Sequence, residues 1–426
     1  MIDSFAAGSG SSASPPLSGQ VSRRVLMLSP DSYIIDRRIL QEARSLAREG
    51  YGVAVLSGFE CSKEEHYVER GVEIHRYQYD WDDERIKGLR NRIKNERLRL
   101  LFHRLFMAFA RRCLKFNSFE TFVLLKAKQF RADVVHVHDL PFLRIGAHLA
   151  AVWDVPLVFD AHEIYYVHHS IPRRRRRRLI RDEKRFAKKA SLFITVNDAI
   201  ADHFRGTHGN LNYLVLMNCA DSCRELDRAA CRAELRKMAR LEEGDRIVLY
   251  QGWIASERNL DTLVRSAAEF PPDAYLALIG YGEHQKDLER IAEEEGLGDR
   301  VRFLGRIEPD RIMSLTRGAD LGVIPYQPVD LNHEFCSPNK FFEFVQAGVP
   351  IVAHDLVFFR NMKAQYGVVE TADLSNPSRM AAAIVGLLED GERLAAMRDA
   401  CERAAGPLSW ETESRKLVKA YEDLFR

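Results

Sequence analysis

Residues 24–57 read RVLMLSPDSYIIDRRILQEARSLAREGYGVAVLS, and the order of patterns within them decides the fold. Val25 to Ser29 is an apolar run closed by Pro30, Asp31 and Ser32, as in a buried strand followed by a turn. From Ile34 to Glu49 the residues Ile35, Ile39, Leu40, Ala43, Leu46 and Ala47 recur at helical spacing, and Gly50 offers a C-cap. Val53 to Ser57 is a second apolar run. Strand, helix, strand in this order is a βαβ unit, which places the two strands parallel in one sheet.

The alternation continues in both directions of the argument. Short runs rich in Val, Ile, Leu and Phe at 72–77, 133–138, 156–160, 192–196 and 213–217 are predicted strands. They are continuous rather than alternating, which is the mark of strands covered on both faces. A second series begins near residue 246, with strands predicted at Ile247–Gln251, Tyr275–Ile279, Val301–Leu304, Leu321–Ile324, Ile351–Ala353 and Val368–Glu370. The fold class is therefore α/β, with two facing doubly wound, Rossmann-like domains. The expected layout is a disordered tail at 1–20, a first domain at 21–220, a second at 221–405 and a helix at 406–426 that returns to the first. The tail is rich in Ser, Gly, Ala and Pro and cannot bury enough apolar surface to order itself.

Composition bounds what such a chain does. Of 426 residues 46% are hydrophobic and 29% charged, an ordinary globular balance. The 63 basic and 61 acidic residues leave a net charge of only +2, which excludes a uniformly basic nucleic-acid binder. The average hides two local excesses. Residues 85–115 hold eleven basic residues against one acid, and residues 173–189 hold eleven against two. Seven scattered cysteines form no paired framework, which suits a reducing compartment. With no signal-like start and no apolar run long enough for a span, the expectation is a cytoplasmic protein, peripheral on the cytosolic face of a membrane if its basic segments bind there.

In open parallel sheets, ligands bind beyond the carboxyl ends of the strands. The informative residues should stand there. Ser337 is a good N-cap type and Pro338 suits the first helical position, so a helix is expected to start here, with Gly348 at its end. Its N-terminus, with Asn339 and Lys340 in the first turn, suits a diphosphate, and Glu343 one turn on suits vicinal hydroxyls. The plain alternative is an amphipathic helix with Glu343 on its exposed face. Gly280-Tyr281-Gly282 is a tight turn that would let a ligand approach backbone, and Gly305-Arg306 ends another strand. Arg258, between a strand and a helix, would clamp phosphate, unless it is only a surface arginine.

In the first half, Val135-His136-Val137-His138-Asp139 and Phe159-Asp160-Ala161-His162-Glu163 end adjacent strands. His136 and His138 share a strand face, yet no metal-binding spacing accompanies them, so no metal is expected. His162 is the better candidate for substrate contact.

These stretches together resemble the GT-B fold glycosyltransferases, and within them the retaining, nucleotide-sugar-dependent enzymes of family 4. The resemblance is carried by Asp36-Arg37-Arg38 with Glu42-Ala43, Leu46-Ala47 and Gly50; by Asp133 to Asp139; by Asp160-Ala161-His162-Glu163; by Gly280-Tyr281-Gly282; by Val301 to Gly305; and by Pro338 to Pro350. It implies transfer of a sugar from a nucleotide sugar to an acceptor hydroxyl, with no required metal or other cofactor. The implied catalytic groups are His162, Arg258 and Lys340. The implied donor-binding groups are Glu343, Ser337, Asn339, Gly280, Gly282, Arg306 and Glu334. Asp36, Arg37, His138, Asp139 and Glu163 would face the acceptor. In the family two glutamates stand at a fixed spacing, and counting back from Glu343 lands on Phe335; Glu334 is one residue off register and serves only if the loop bulges. Trp253 and Asn259 fall where basic residues are expected, which leaves Arg258 as the cation there.

The basic segments 85–116 and 173–189 lie in the implied acceptor domain. Ile86, Leu89, Ile93, Leu98, Leu101, Leu105 and Phe109 give the first a helical apolar stripe amid arginines, as on a membrane-surface helix. The sharper reading is a cationic face for anionic lipid and a glycan or lipid-linked acceptor; the bland one is two solvated helices. No aromatic platform or motif supports nucleic acid as a partner. Two further readings of the whole stay open: a nucleotide-sugar epimerase of related fold, and a non-catalytic scaffold that only binds.

Overall fold

A computed structural model of the chain describes residues 23–31, 35–79, 116, 118–167 and 171–426, with single positions at 93, 95, 97, 98 and 101. The expected tail at 1–20 and nearly all of the basic segment 85–116 lie outside the described residues.

The first sheet contains β1 (Arg24–Leu28), β2 (Gly52–Ser57), β3 (Glu60–Glu69), β4 (Val72–Gln78), β5 (Val134–His138), β6 (Leu157–Ala161), β7 (Leu192–Thr195) and β8 (Tyr213–Val215). Their order is β3-β4-β2-β1-β5-β6-β7-β8. The second contains β9 (Arg246–Gln251), β10 (Ala274–Ile279), β11 (Val301–Gly305), β12 (Leu321–Ile324), β13 (Ile351–His354) and β14 (Val369–Ala372), in the order β11-β10-β9-β12-β13-β14. Both sheets are doubly wound, as expected. Every pairing is parallel except β3 with β4.

That exception escapes the sequence reading. β3 is the polar run ECSKEEHYVE at the sheet edge, with too few apolar residues to read as a strand. Its hairpin turn, Arg70-Gly71, has φ of 49° and 82°. Two positive φ values match the mirror-image turn whose twist suits a hairpin.

The continuous apolar strands are covered on both sides. Leu26, Leu28, Val135 and Val137 enter one core layer, and Val25, Met27 and Val134 enter the layer on the opposite face. This is the alternation of a pleated strand. The second sheet does the same with Ile247 and Leu249 against Val248 and Tyr250.

Two packing details fix the elements that carry chemistry. The helix Asn339–Gln346 buries Phe341, Phe342, Phe344 and Val345, each contributing about 1.5–3 kcal/mol. It lies close on the sheet because β12 has Gly322 beneath it; a Cβ there would stand 2.8 Å from the Phe344 ring. The helix Trp410–Asp423, capped by Ser409, follows the second sheet in sequence but packs on the first domain. Trp410 Nε1 donates to Ser45 Oγ at 3.0 Å, Tyr421 Oη lies 2.7 Å from His136 Nδ1, and Glu413 accepts from the Met217 N–H. No described helix is long and apolar enough to cross a membrane.

Candidate active site

Each doubly wound sheet has one point where its winding reverses, between β1 and β5 in the first and between β9 and β12 in the second. Ligands bind beyond the strand ends at such points. The second-domain half of the site lies at its reversal, and the first-domain half lies beside its reversal, at the ends of β5 and β6.

In the second domain, β9 ends at the buried Gln251, followed by Gly252. The Lys340 ammonium reaches this turn from the first turn of the helix Asn339–Gln346. Gly252 has φ 127°, a conformation that favours glycine, and the Lys340 Nζ lies 3.0 Å from where a Cβ there would stand. Lys340 is buried, its Nζ has no hydrogen-bond partner, and it lies over the Tyr250 ring at 3.8 Å and the Tyr326 ring at 5.1 Å. The Arg258 guanidinium stacks on the other partner, 4.5 Å from the Tyr326 centroid. Burial and the Arg258 charge together hold the Lys340 ammonium well below the ordinary lysine range. Two cations thus share one aromatic wall, and among the described residues neither has an anionic partner within ion-pair distance. Lys340 is buried and Arg258 half-buried, and a buried cation is ordinarily paired, so the two leave unmatched positive charge at this turn.

Glu343 stands one turn beyond Lys340. Gln251 Nε2 donates to its Oε2, and Thr316 Oγ1 donates to Gln251 Oε1 at 2.7 Å, which fixes the amide. Its Oε1 accepts from Arg37 of the first domain at 2.7 Å.

The first-domain half centres on Asp160 at the end of β6. Arg38 binds it with Nε at 3.1 Å and Nη2 at 3.2 Å, and also pairs with Glu42. Burial alone would raise the Asp160 carboxyl; Arg38, His162 and His138 instead hold it well below the usual range. Glu42, His136, His138 and Asp160 cluster closely enough to suggest a metal site. The Arg38 guanidinium already sits between the two carboxylates and meets their charge.

His162 Nε2 lies 3.1 Å from Asp160 Oδ2 and 3.3 Å from His138 Nδ1. Its Nδ1 faces Asp139 Oδ2 at 3.5 Å, beyond hydrogen-bond range. Burial opposes the charge of this imidazole, yet Asp139 and Asp160 raise it to about 10. His162 is therefore an imidazolium at neutral pH, a donor rather than a base. Asp139 is held in strain to serve it. At φ 58° and ψ 162° it occupies backbone space that normally only glycine visits, at a cost of about 1–3 kcal/mol. There its Oδ1 accepts from the His162 N–H at 3.1 Å and its own N–H donates to the Asp160 carbonyl at 2.8 Å. Burial raises its carboxyl to about 7.

The structure redistributes several expected roles. Ser337 is not the N-cap: the helix starts at Asn339 with Pro338 at the cap, and the buried Ser337 hydroxyl has no partner. Asp36 caps the helix Arg37–Arg48 by accepting from the Arg38 N–H at 2.7 Å, so its carboxylate is engaged there. Gly280 and Gly282 make room for the neighbouring loop. A Cβ on either would stand 1.9 Å from the Gly252 carbonyl oxygen or 2.1 Å from that of Ile254. Arg306 is exposed and lies over Tyr281, and Glu334 ends the short helix Leu331–Glu334 with no hydrogen bond to the Glu343 cluster. Asn339 is exposed at the helix start. Glu163 accepts from Asn332 across the domains at 3.4 Å.

Sequence reasoning missed Gln251, Tyr250, Tyr326, Arg38 and the exposed edge-to-face pair Trp253–Tyr281. Gln251 had a legible signal: a polar residue closing an apolar strand.

Comparison with known proteins agrees with this architecture. Residues 35–218 match the family described as glycosyl transferase 4-like domain, and residues 232–404 match glycosyl transferases group 1. The alpha-D-kanosaminyltransferase of Streptomyces kanamyceticus is 27% identical over 237 residues, covering 53% of this chain and 57% of that protein. The D-inositol 3-phosphate glycosyltransferase of Nocardia farcinica is 27% identical over 315 residues, covering 68% of this chain and 66% of that protein. The chain thus spans somewhat under two thirds of the length of both relatives. Among solved structures, Anabaena Alr3699/HepE in complex with UDP and glucose superposes with a TM-score of 0.68 at 17% identity, over 94% of this chain and 100% of that one. WaaG, a glycosyltransferase involved in lipopolysaccharide biosynthesis, gives 0.63 at 14% identity, over 92% and 98%.

Proposed function

The chain belongs to the GT-B fold, family 4-like glycosyltransferases, and on that premise we propose that it moves a sugar from a nucleotide-sugar donor to an acceptor hydroxyl with retention. The observation that carries this reading is the pair of unpartnered cations, Lys340 and Arg258, beside Gly252 at the reversal of the second sheet. A diphosphate completes their charge. Glu343 then holds the ribose hydroxyls, and the donor occupies the second domain, 221–405. Anabaena Alr3699/HepE is solved in complex with UDP and glucose and with UDP-glucose, which favours the same class of donor here.

The chemistry asks little proton transfer of the protein. As the bond from sugar to diphosphate breaks, negative charge grows on the leaving phosphate, and fixed cations stabilise it without reorganisation. The leaving phosphate takes the acceptor proton in a front-face displacement. His162, charged at neutral pH, offers its Nδ1–H to a sugar hydroxyl. No metal is required, because Lys340, Arg258 and the helix start supply the positive charge.

The acceptor belongs to the first domain, and a lipid-linked or cell-surface polysaccharide precursor fits its charge. Arg173, Arg174, Arg175 and Arg177 are exposed on the helix Arg173–Phe186, just past the His162 loop. Each basic residue near an anionic leaflet contributes about 1 kcal/mol. These exposed arginines support a working position at the cytosolic face of a membrane.

A thermal-shift screen against UDP, GDP and their sugar conjugates tests the donor class, since a ligand of the folded state raises the transition with concentration. Glu343→Ala should weaken the selected donor at least tenfold; unchanged affinity and turnover reject the assignment. Failure to float with phosphatidylserine vesicles at low salt rejects the membrane.

A further inference from the structure

The segment immediately ahead of the Lys340–Glu343 helix belongs to the second domain in sequence but is held by the first. Three asparagine carboxamides hold it. Asn197 Nδ2 donates to the Phe335 carbonyl at 2.7 Å, while its Oδ1 caps the helix Asp198–His208 by accepting from the Ile200 N–H. Asn218 Nδ2 donates to the Ser337 carbonyl at 3.2 Å, while its Oδ1 accepts from Arg38, the same arginine that clamps Asp160. Asn332 works in the opposite direction. From the second domain it accepts from the Ile164 N–H at 2.8 Å and donates to the Ile164 carbonyl at 3.3 Å. One carboxamide thus satisfies both main-chain groups of a residue that is fully buried in the first-domain core.

Two further observations give this contact a direction. Ile164 is two residues past His162, so what holds Ile164 holds the end of the His162 loop. Asn332 is itself rigid: it lies in the helix Leu331–Glu334, capped by Asp330 through the His333 N–H at 2.9 Å. Phe335, where the family spacing calls for a glutamate, packs against the first-domain core and the His203 ring. An apolar side chain at this place serves docking, since it cannot bind a sugar hydroxyl.

We infer that Asn332 is a positioning residue for transfer: it registers the His162 loop of the first domain against the Lys340–Glu343 helix of the second, with Phe335 as the apolar peg of the same clasp. This rests on the proposed role of His162. The nucleotide itself lies in the second domain alone and does not need the clasp, whereas transfer needs both walls in register.

The test separates these steps. UDP and GDP affinities are measured by calorimetry. Turnover is measured as release of nucleoside diphosphate from UDP-glucose, UDP-N-acetylglucosamine or GDP-mannose, using whichever the wild type turns over fastest. Asn332→Ala should leave nucleotide affinity within about twofold and lower kcat about tenfold or more, with a smaller change in donor KM. Asn332→Asp keeps the acceptor for the Ile164 N–H but sets a carboxylate against Glu163 and loses the donor. Its kcat should recover as pH falls and the new carboxyl protonates, a response that general destabilisation does not produce. Turnover of Asn332→Ala within twofold of wild type overturns the inference, as does a kcat loss matched by an equal loss of nucleotide affinity or an Asn332→Asp profile parallel to wild type. His162→Ala is the control for the underlying reading. If it retains full turnover, the role of His162 fails and this inference with it; if it loses turnover while Asn332→Ala does not, only the inference fails.

Discussion

Arg37 of the first domain and Glu343 of the second form an ion pair of 2.7 Å across 306 residues of sequence. Both Glu343 oxygens are therefore occupied, one by the exposed Arg37 and one by the buried Gln251. Only the first partner is free to leave when hydroxyls arrive. Arg37 side-chain exposure is 41%, so the pair is worth at most about 1 kcal/mol. Arg37→Ala should therefore tighten UDP or GDP binding by about two- to fivefold, and wild-type affinity should approach that of the variant as salt screens the pair. Calorimetry checks this, and equal or weaker binding by the variant rejects it.

Lys340 makes a different kind of demand. Its depressed ammonium means that the folded protein gives up a proton that the unfolded chain keeps. The burden on stability is full below its folded value and is relieved as pH rises toward 10.5. Lys340→Met should leave thermal stability at neutral pH equal or higher, and lower turnover by about 100-fold or more. Nucleotide binding to the wild type should take up a proton at alkaline pH, as calorimetry in buffers of different ionisation enthalpy would reveal. No uptake means that no anion pairs with Lys340.

His162 and Asp139 should be visible by NMR. The imidazole should titrate near 10 rather than 6.5. Its folded value is raised, so its stabilisation is fully present below 6.5 and fades as pH rises through about 10. Asp139 acts in the same direction at lower pH: its carboxyl, raised to about 7, penalises the fold increasingly as pH climbs from 3.8 to that value. Asp139→Asn should bring the His162 titration down by about one unit or more. An unchanged titration would show that Asp160 alone sets it.

Tyr421→Phe should cost about 1–3 kcal/mol in urea unfolding, since it leaves the buried His136 Nδ1 without its partner at 2.7 Å. A change below a few tenths would mean that the Tyr421–His136 hydrogen bond adds nothing net to the hold of the C-terminal helix on the first domain.

The sheets were legible because most strands covered on both faces are written as short runs rich in apolar residues, and thirteen of the fourteen described strands were placed from such runs. β3 was hidden because an edge strand keeps polar residues. Lys340 and Glu343 were legible from their place after a strand. The partners that give them meaning were not. Gln251 stood out only as a polar strand end, Tyr250 sat inside a predicted strand, and only the fold brings them and Tyr326 to the cleft. Ser337 shows the limit of cap rules: Pro338 has φ −73° and ψ 136°, extended rather than helical, and the helix starts one residue later than expected. Asp139 was legible as a strand-end site residue, but its strain was not, since nothing in a sequence marks an aspartate forced into glycine-like backbone.

The three carboxamides that join the domains have no proton to gain or lose. Their hydrogen bonds to Phe335, Ser337 and Ile164 add no titration of their own to the contact between the domains. The titratable groups that also cross it are Glu343, paired with Arg37, and Glu163, which accepts from Asn332, so any pH dependence of how often the two halves meet traces to those carboxylates and not to the carboxamides.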